Sequence, residues 1–195
     1  MSAVVLSASE SAIKQIANAL DSRENVEAVH IIAHGKPGSV NFASGPLTLD
    51  TLDDYAIDLA EIGDALGRDC ALYLWSCDTG QGERGSAFVN ALERATGIEV
   101  AAATGAVGAA TQGGEWELTA RASNPQARPP LTLEGIADYD GILGVTLDLN
   151  GAAAGTNDTS SYTEQQGSLI LFTGIRQWNR LLREGRRYQR LRKSV

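Results

Sequence analysis

Sulfur and imidazole are scarce in this chain, with two cysteines and two histidines among 195 residues. Two cysteines cannot frame a small disulfide-stapled fold. If Cys70 and Cys77 flank one strand they cannot bridge each other either. Seven residues at about 3.3 Å each hold them roughly 23 Å apart, against the ~7 Å between Cα atoms that a disulfide tolerates. The paired Cys/His spacing of a zinc site is missing, and no metal or cofactor is expected. No window approaches the roughly 20 apolar residues of a membrane span. The first 20 residues lack the basic leader, long apolar block and cleavage site of a secretory signal peptide, so export would need another signal. Basic side chains are few in the body: residues 1–175 carry 8 Lys+Arg against 23 Asp+Glu, a net charge of -15. Such a body repels nucleic acid.

The chain does have two apolar runs that each end in a reactive side chain. One reads Ala28-Val29-His30-Ile31-Ile32-Ala33-His34-Gly35, the other Ala71-Leu72-Tyr73-Leu74-Trp75-Ser76-Cys77-Asp78. Short runs rich in β-branched and aromatic residues, bounded by turn formers, are expected as strands buried on both faces of a parallel sheet. In an open α/β sheet the carboxyl ends of such strands converge on one crevice. His34 and Cys77 are then candidates to meet there.

The surrounding pattern supports that class. Ala3-Val4-Val5-Leu6 reads as a strand, and Ser7 or Ser9 can cap a helix carrying Ile13, Ile16, Ala17 and Leu20 at helical spacing. After Gly35, the runs Val40-Asn41-Phe42 and Leu47-Thr48-Leu49 form a hairpin signal. Asp50 or Thr51 can cap a second helix that Gly67 closes. A third helix with Ala87, Phe88, Leu92 and Ala95 stops at Gly97. Residues 98–103 read as another strand, and the alternation of Glu115-Trp116-Glu117-Leu118-Thr119 fits a half-exposed or edge strand. The β-α-β-α-β-α-β order predicts an α/β domain with a mainly parallel sheet, helices on both faces and a small hairpin.

A thiol is mostly protonated at neutral pH, and an imidazole within reach can take its proton to leave a nucleophilic thiolate. In an acyl-transfer reading Cys77 attacks, His34 shuttles the proton, and the N–H groups of Gly35 and Cys77 hold the oxyanion. The competing reading is that Cys77 is a small buried hydrophobe and His34 only closes a strand. His30, inside its apolar run, is expected as a satisfied core histidine. Cys70 precedes its strand and is expected to be structural.

Residues 28–35, residues 71–82 and the block Gly113-Gly114-Glu115-Trp116-Glu117-Leu118 resemble the bacterial family called domain of unknown function 4347. That family looks like a relative of the caspase, gingipain and separase cysteine peptidases of clan CD, in which a His-Gly and a Cys each follow an apolar strand. The resemblance covers roughly residues 1–144. It implies a three-layer caspase-like sandwich, a Cys77/His34 dyad, a peptide substrate, with a segment of the same chain as one option, and a place at the front of a large secreted or surface protein. It also implies that a strand and helix found in family members ahead of the segment matching Val4, Val5 and Leu6 are missing from this domain. Where the family often has Gly-Cys-Asn, this chain has Ser76-Cys77-Asp78, placing a carboxylate beside the thiol.

Beyond residue 144 the composition changes twice. Residues 145–168 are rich in Gly, Ala, Thr, Asn and Ser and read as a linker, with a resemblance to the lead-in of adhesin repeats. Asp148, Asn150, Asn157 and Asp158 do not make the twelve-position calcium loop. Residues 176–195 carry 8 Lys+Arg against one Glu, a net charge of +7. The tail, residues 169–195, reads as non-native or out-of-frame sequence whose removal should leave folding unchanged. The alternative is a basic amphipathic helix, with Ile175, Trp178, Leu182, Tyr188 and Leu191, that meets a membrane surface. Two functions compete for the domain itself: a cysteine peptidase, with self-processing as one form of it, and a non-catalytic module for export, anchoring or adhesion.

Overall fold

The structure is a computed structural model, and it describes residues 2–21, 23, 26–66, 70–120, 127–143 and 169–173, the last five by their backbone alone. The expected helix stop at Gly67, the linker, its calcium candidates and the basic helix all lie outside these residues. Among the described residues five strands form the main sheet, in the order β1 (Ser2–Val5), β8 (Leu169–Thr173), β2 (Ala28–Ile32), β6 (Ala71–Trp75) and β7 (Glu99–Ala102). β2, β6 and β7 are parallel neighbours, with Ile32 opposite Trp75 and Leu74 opposite Ala102. β3 (His34–Lys36), β4 (Ser39–Phe42) and β5 (Gly45–Thr48) make a separate antiparallel sheet that includes the expected hairpin.

Helices α1 (Ala12–Asp21), α2 (Ala56–Leu66) and α3 (Gly82–Thr96) bury apolar stripes against the same face of the main sheet. Ile13, Ile16 and Leu20 of α1, Leu59 and Ile62 of α2, and Phe88, Val89 and Leu92 of α3 meet Val29, Ile31, Leu72, Leu74 and Val100 from the strands. At roughly 1.5–3 kcal/mol for each large side chain taken from water, this layer is the main source of cohesion. The opposite face, built from Ala28, Tyr73, Trp75 and Ala101, is covered by Val107, Trp116, Leu118, Ala127, Ile142 and Leu143. The chain that supplies this third layer is largely irregular and includes the short helix α4 (Leu133–Asp138). The protein is therefore α/β, with a mixed sheet between two covering layers.

Local chemistry shifts several boundaries from their sequence expectations. α1 begins at Ala12, where the Lys14 N–H lies 3.5 Å from Ser11 Oγ. Ser7 instead donates from its backbone N–H to Gln15 Oε1 at 2.9 Å. Thr51 does not cap α2, because its Oγ1 accepts the Thr48 N–H at 2.9 Å and ties the chain back to β5. A 3-10 turn at Asp53–Tyr55 intervenes before α2. α3 ends as expected on Gly97, whose left-handed backbone (φ 71°) lets its N–H return to the Glu93 carbonyl at 2.7 Å. The expected strand at Glu115-Trp116-Glu117-Leu118-Thr119 does not form. Its flanks make only isolated bridges, Glu115 to Val107 and Ala120 to Ala102.

The largest departure concerns the tail. Its first five residues, Leu169–Thr173, form β8 and pair antiparallel with β1 on one side and β2 on the other. β1 and β2 run parallel to each other, and the α1 crossover leaves one strand's width between them. A strand in that gap can satisfy both facing rows of backbone donors and acceptors. The boundary drawn at residue 169 therefore cuts through the sheet.

Candidate active site

The register of β2 and β6 determines the site. Ile32 faces Trp75 across the parallel pair, and the Ala33 N–H still donates to the Trp75 carbonyl at 3.2 Å. His34 and Cys77 thus each stand two residues beyond the last paired position, on neighbouring strand ends. Gly35 shows how tightly the two chains meet. A Cβ there would lie 2.5 Å from Thr79 Oγ1, 2.6 Å from the Cys77 carbonyl oxygen and 2.8 Å from Ser76 Cβ. Only glycine permits this approach.

The loop after β6 is held in place from below. Ser76 and Thr79 are fully buried and share a hydrogen bond of 2.7 Å between their hydroxyl oxygens. Thr79 Oγ1 also donates to the Ser39 carbonyl at 3.0 Å, joining the loop to β4. Asp78 adopts a left-handed backbone (φ 58°), which Asp and Asn tolerate better than other non-glycine residues. Its N–H donates to the Gly105 carbonyl at 3.0 Å, and its carboxylate accepts from Gln81 Nε2 at 3.2 Å.

Cys77 is buried, with 2% of its surface exposed. Its Sγ accepts the Val107 N–H at 3.1 Å and lies 3.6 Å from the Val107 carbonyl as a donor. Burial pushes the thiol pKa up and the Asp78 carboxylate adds to the rise, while backbone hydrogen bonds from Val107, Cys77 itself and Leu143 oppose it. The resting group is therefore a protonated thiol, and a proton acceptor is needed to make it a nucleophile. His34 is half-buried, and its Nδ1 is shielded from solvent.

Other residues close over the crevice. The Gly35 N–H donates to the Leu143 carbonyl at 3.2 Å, and the Leu143 N–H donates to the Val107 carbonyl at 2.8 Å. The expected oxyanion donor at Gly35 thus already holds a carbonyl oxygen. Tyr139 stands close enough to Cys77 for thiolate charge to raise its hydroxyl pKa, after burial as the larger cause. Trp116 packs edge-on to Tyr139 at 5.6 Å and lies 5.9 Å from Trp75. Sequence reasoning missed Val107, Tyr139 and Leu143. Trp116 stood in one of the blocks that carried the resemblance, which was its only signal.

The other sulfur and the other imidazole are structural. Cys70 is buried and donates from Sγ to the Leu66 carbonyl at 2.7 Å and the Val26 carbonyl at 3.0 Å. His30 accepts from Trp75 Nε1 at 3.0 Å through its Nδ1, and burial lowers its pKa to about 4. Neither cysteine is in a disulfide. Beside the Asp78 loop, a cavity of about 160 Å³ is lined by Thr104, Gly105, Ala106, Glu115 and Glu117 among others. Among the described residues no helix is long and apolar enough to cross a membrane.

Fold and site define an α/β protein with a cysteine and a histidine on adjacent parallel strand ends, covered by the layer that residues 107–143 supply. The chain belongs to the family described as domain of unknown function (DUF4347), whose family model matches residues 1–143. Comparison with curated proteins and with solved structures gave no match.

Proposed function

We propose that this domain is a cysteine peptidase of the clan CD kind, with Cys77 as nucleophile, His34 as proton shuttle and the N–H groups of Gly35 and Cys77 as oxyanion donors. The observation that supports this most is the register, which brings the ends of β2 and β6 level while Gly35 rests on the Cys77 backbone. In the reaction His34 takes the thiol proton, the thiolate attacks a peptide carbonyl, and the protonated imidazole then supplies the leaving amine. Water releases the acyl group. The substrate is a polypeptide segment, and the domain works at the cell surface or outside it as part of a large bacterial adhesin-like protein.

A second reading keeps the fold and drops the chemistry: a module for export, anchoring or adhesion whose dyad is vestigial. It is favoured by the raised pKa of Cys77 and by the engagement of the Gly35 N–H with Leu143. An irreversible thiol probe separates the two. A peptidase should be labelled at Cys77 in preference to Cys70, and labelling should fall at least about tenfold in His34→Ala if the imidazole activates the thiol. Asp78→Asn, which suits the same left-handed backbone, should raise labelling by removing the adjacent carboxylate. Equal labelling of both cysteines, or none at Cys77, would defeat the peptidase.

A further inference from the structure

The contact that speaks for a vestigial dyad is also the contact a built-in inhibitor would make. We propose that Gly141, Ile142 and Leu143 form an autoinhibitory strap, which occupies the place along residues 107–109 where an extended substrate would pair and must swing aside before Cys77 can act. This deepens the peptidase reading and rests on it.

The backbone carries the assignment. Leu143 presents its carbonyl oxygen to the Gly35 N–H at 3.2 Å, so this oxyanion donor is taken and no substrate carbonyl can use it while the contact lasts. The same short segment adds as a strand to the chain that follows Ala106. The Leu143 N–H donates to the Val107 carbonyl at 2.8 Å, Ile142 bridges antiparallel to Gly108, and the Ala109 N–H donates to the Gly141 carbonyl at 2.8 Å. Main-chain pairing of this kind is a common way for a domain to hold an extended peptide. The Val107 N–H donates in turn to Cys77 Sγ at 3.1 Å, so a single residue joins the strap to the thiol.

The seat is shaped for this segment. A Cβ on Gly108 would run into the Gly141 carbonyl oxygen and lie 2.9 Å from Ile142 Cα, and one on Gly114 would lie 2.6 Å from Ile142 Cδ1. Two neighbours without side chains thus make room for Ile142. Ile142 and Leu143 then pack against the apolar group that contains Trp75, Cys77 and Val107, and Cys77 keeps only 2% of its surface exposed. The strap is held more lightly than the strands beneath it, since Gly141, Ile142 and Leu143 are all only partly buried. An element with few buried apolar contacts opens locally, at a free energy below that of global unfolding.

The experiment is timed alkylation of the full chain with iodoacetamide under native conditions, the label being located by mass spectrometry. The double variant Ile142→Ser, Leu143→Ser removes both apolar contacts and leaves the dyad untouched. It should speed labelling of Cys77 at least about tenfold, while Cys70, buried in the other apolar layer, stays as slow as in wild type. Adding His34→Ala to the double variant should bring the rate back down. No gain at Cys77, with a wild-type rate that still depends on His34, would overturn the strap and leave the peptidase standing. A gain indifferent to His34→Ala would overturn the peptidase, and inhibition with it. If Cys70 reacts as fast as Cys77 in the variant, wild-type protein decides by amide hydrogen exchange. The N–H groups of Gly35, Ala109 and Leu143 should exchange together, at least about tenfold faster than those of β2 and β6. One common rate for all of them would make the segment a fixed part of the core and overturn the proposal.

Discussion

A single methyl group placed on Gly35 would test whether the two strand ends meet as described. In Gly35→Ala the new carbon would lie 2.5 Å from Thr79 Oγ1, 2.6 Å from the Cys77 carbonyl oxygen and 2.8 Å from Ser76 Cβ. None of the three can yield cheaply. Thr79 Oγ1 is tied to Ser76 Oγ at 2.7 Å and to the Ser39 carbonyl at 3.0 Å, and both residues are fully buried. Overpacking of this kind costs about 1–3 kcal/mol, and a displaced buried hydrogen bond adds about 1 kcal/mol. The expected loss is about 3 kcal/mol, or roughly 6–12 °C in melting temperature for a chain of this size. Urea unfolding followed by tryptophan fluorescence measures it, and labelling of Cys77 should fall in parallel as the Gly35 N–H moves. Gly105→Ala is the control, since a Cβ there meets nothing within 4 Å. It should change stability by less than about 0.5 kcal/mol. If Gly35→Ala matched that control, the close approach of β3 to the Cys77 loop would be refuted.

Two further outcomes follow from buried and paired groups. His30 titrates near 4 in the fold against 6.5 in the unfolded chain, so its contribution is fully present above pH 6.5 and is lost as pH falls toward 4. The swing is about 3 kcal/mol. His30→Gln should flatten that part of the pH-stability curve, and an NMR titration midpoint above 6 for His30 would sink the argument. Removal of residues 169–195, which the composition alone marks as dispensable, should instead lower the melting temperature by about 5 °C or more. β1 has β8 as its sheet neighbour, so the β1 amides should also lose protection from hydrogen exchange. Unchanged melting and exchange would show that β8 contributes nothing to the sheet.

The parts of the fold that were legible are those where a local pattern has one structural solution. The apolar runs ending at His34 and Cys77 had to be buried strands, and their like lengths set the two side chains at matching ends. Gly97 could stop α3 because a positive φ is easy for glycine, and the hairpin was marked by the two short runs Val40-Asn41-Phe42 and Leu47-Thr48-Leu49. Glu115-Trp116-Glu117-Leu118-Thr119 misled for an identifiable reason. Alternation reports that one face is buried, and here Trp116 and Leu118 pack on the sheet face without joining a ladder.

The sequence by itself determined the α/β class, the acidic body, the burial of the strands and the two residues that end them. Only the tertiary structure decided what covers that end. The hydrogen bond from Gly35 to Leu143 spans more than a hundred residues, and the pairing of β8 between β1 and β2 spans still more. Local spacing carries no record of such contacts, because a backbone N–H or C=O is the same at every residue. Which group satisfies it depends on where the rest of the chain has packed.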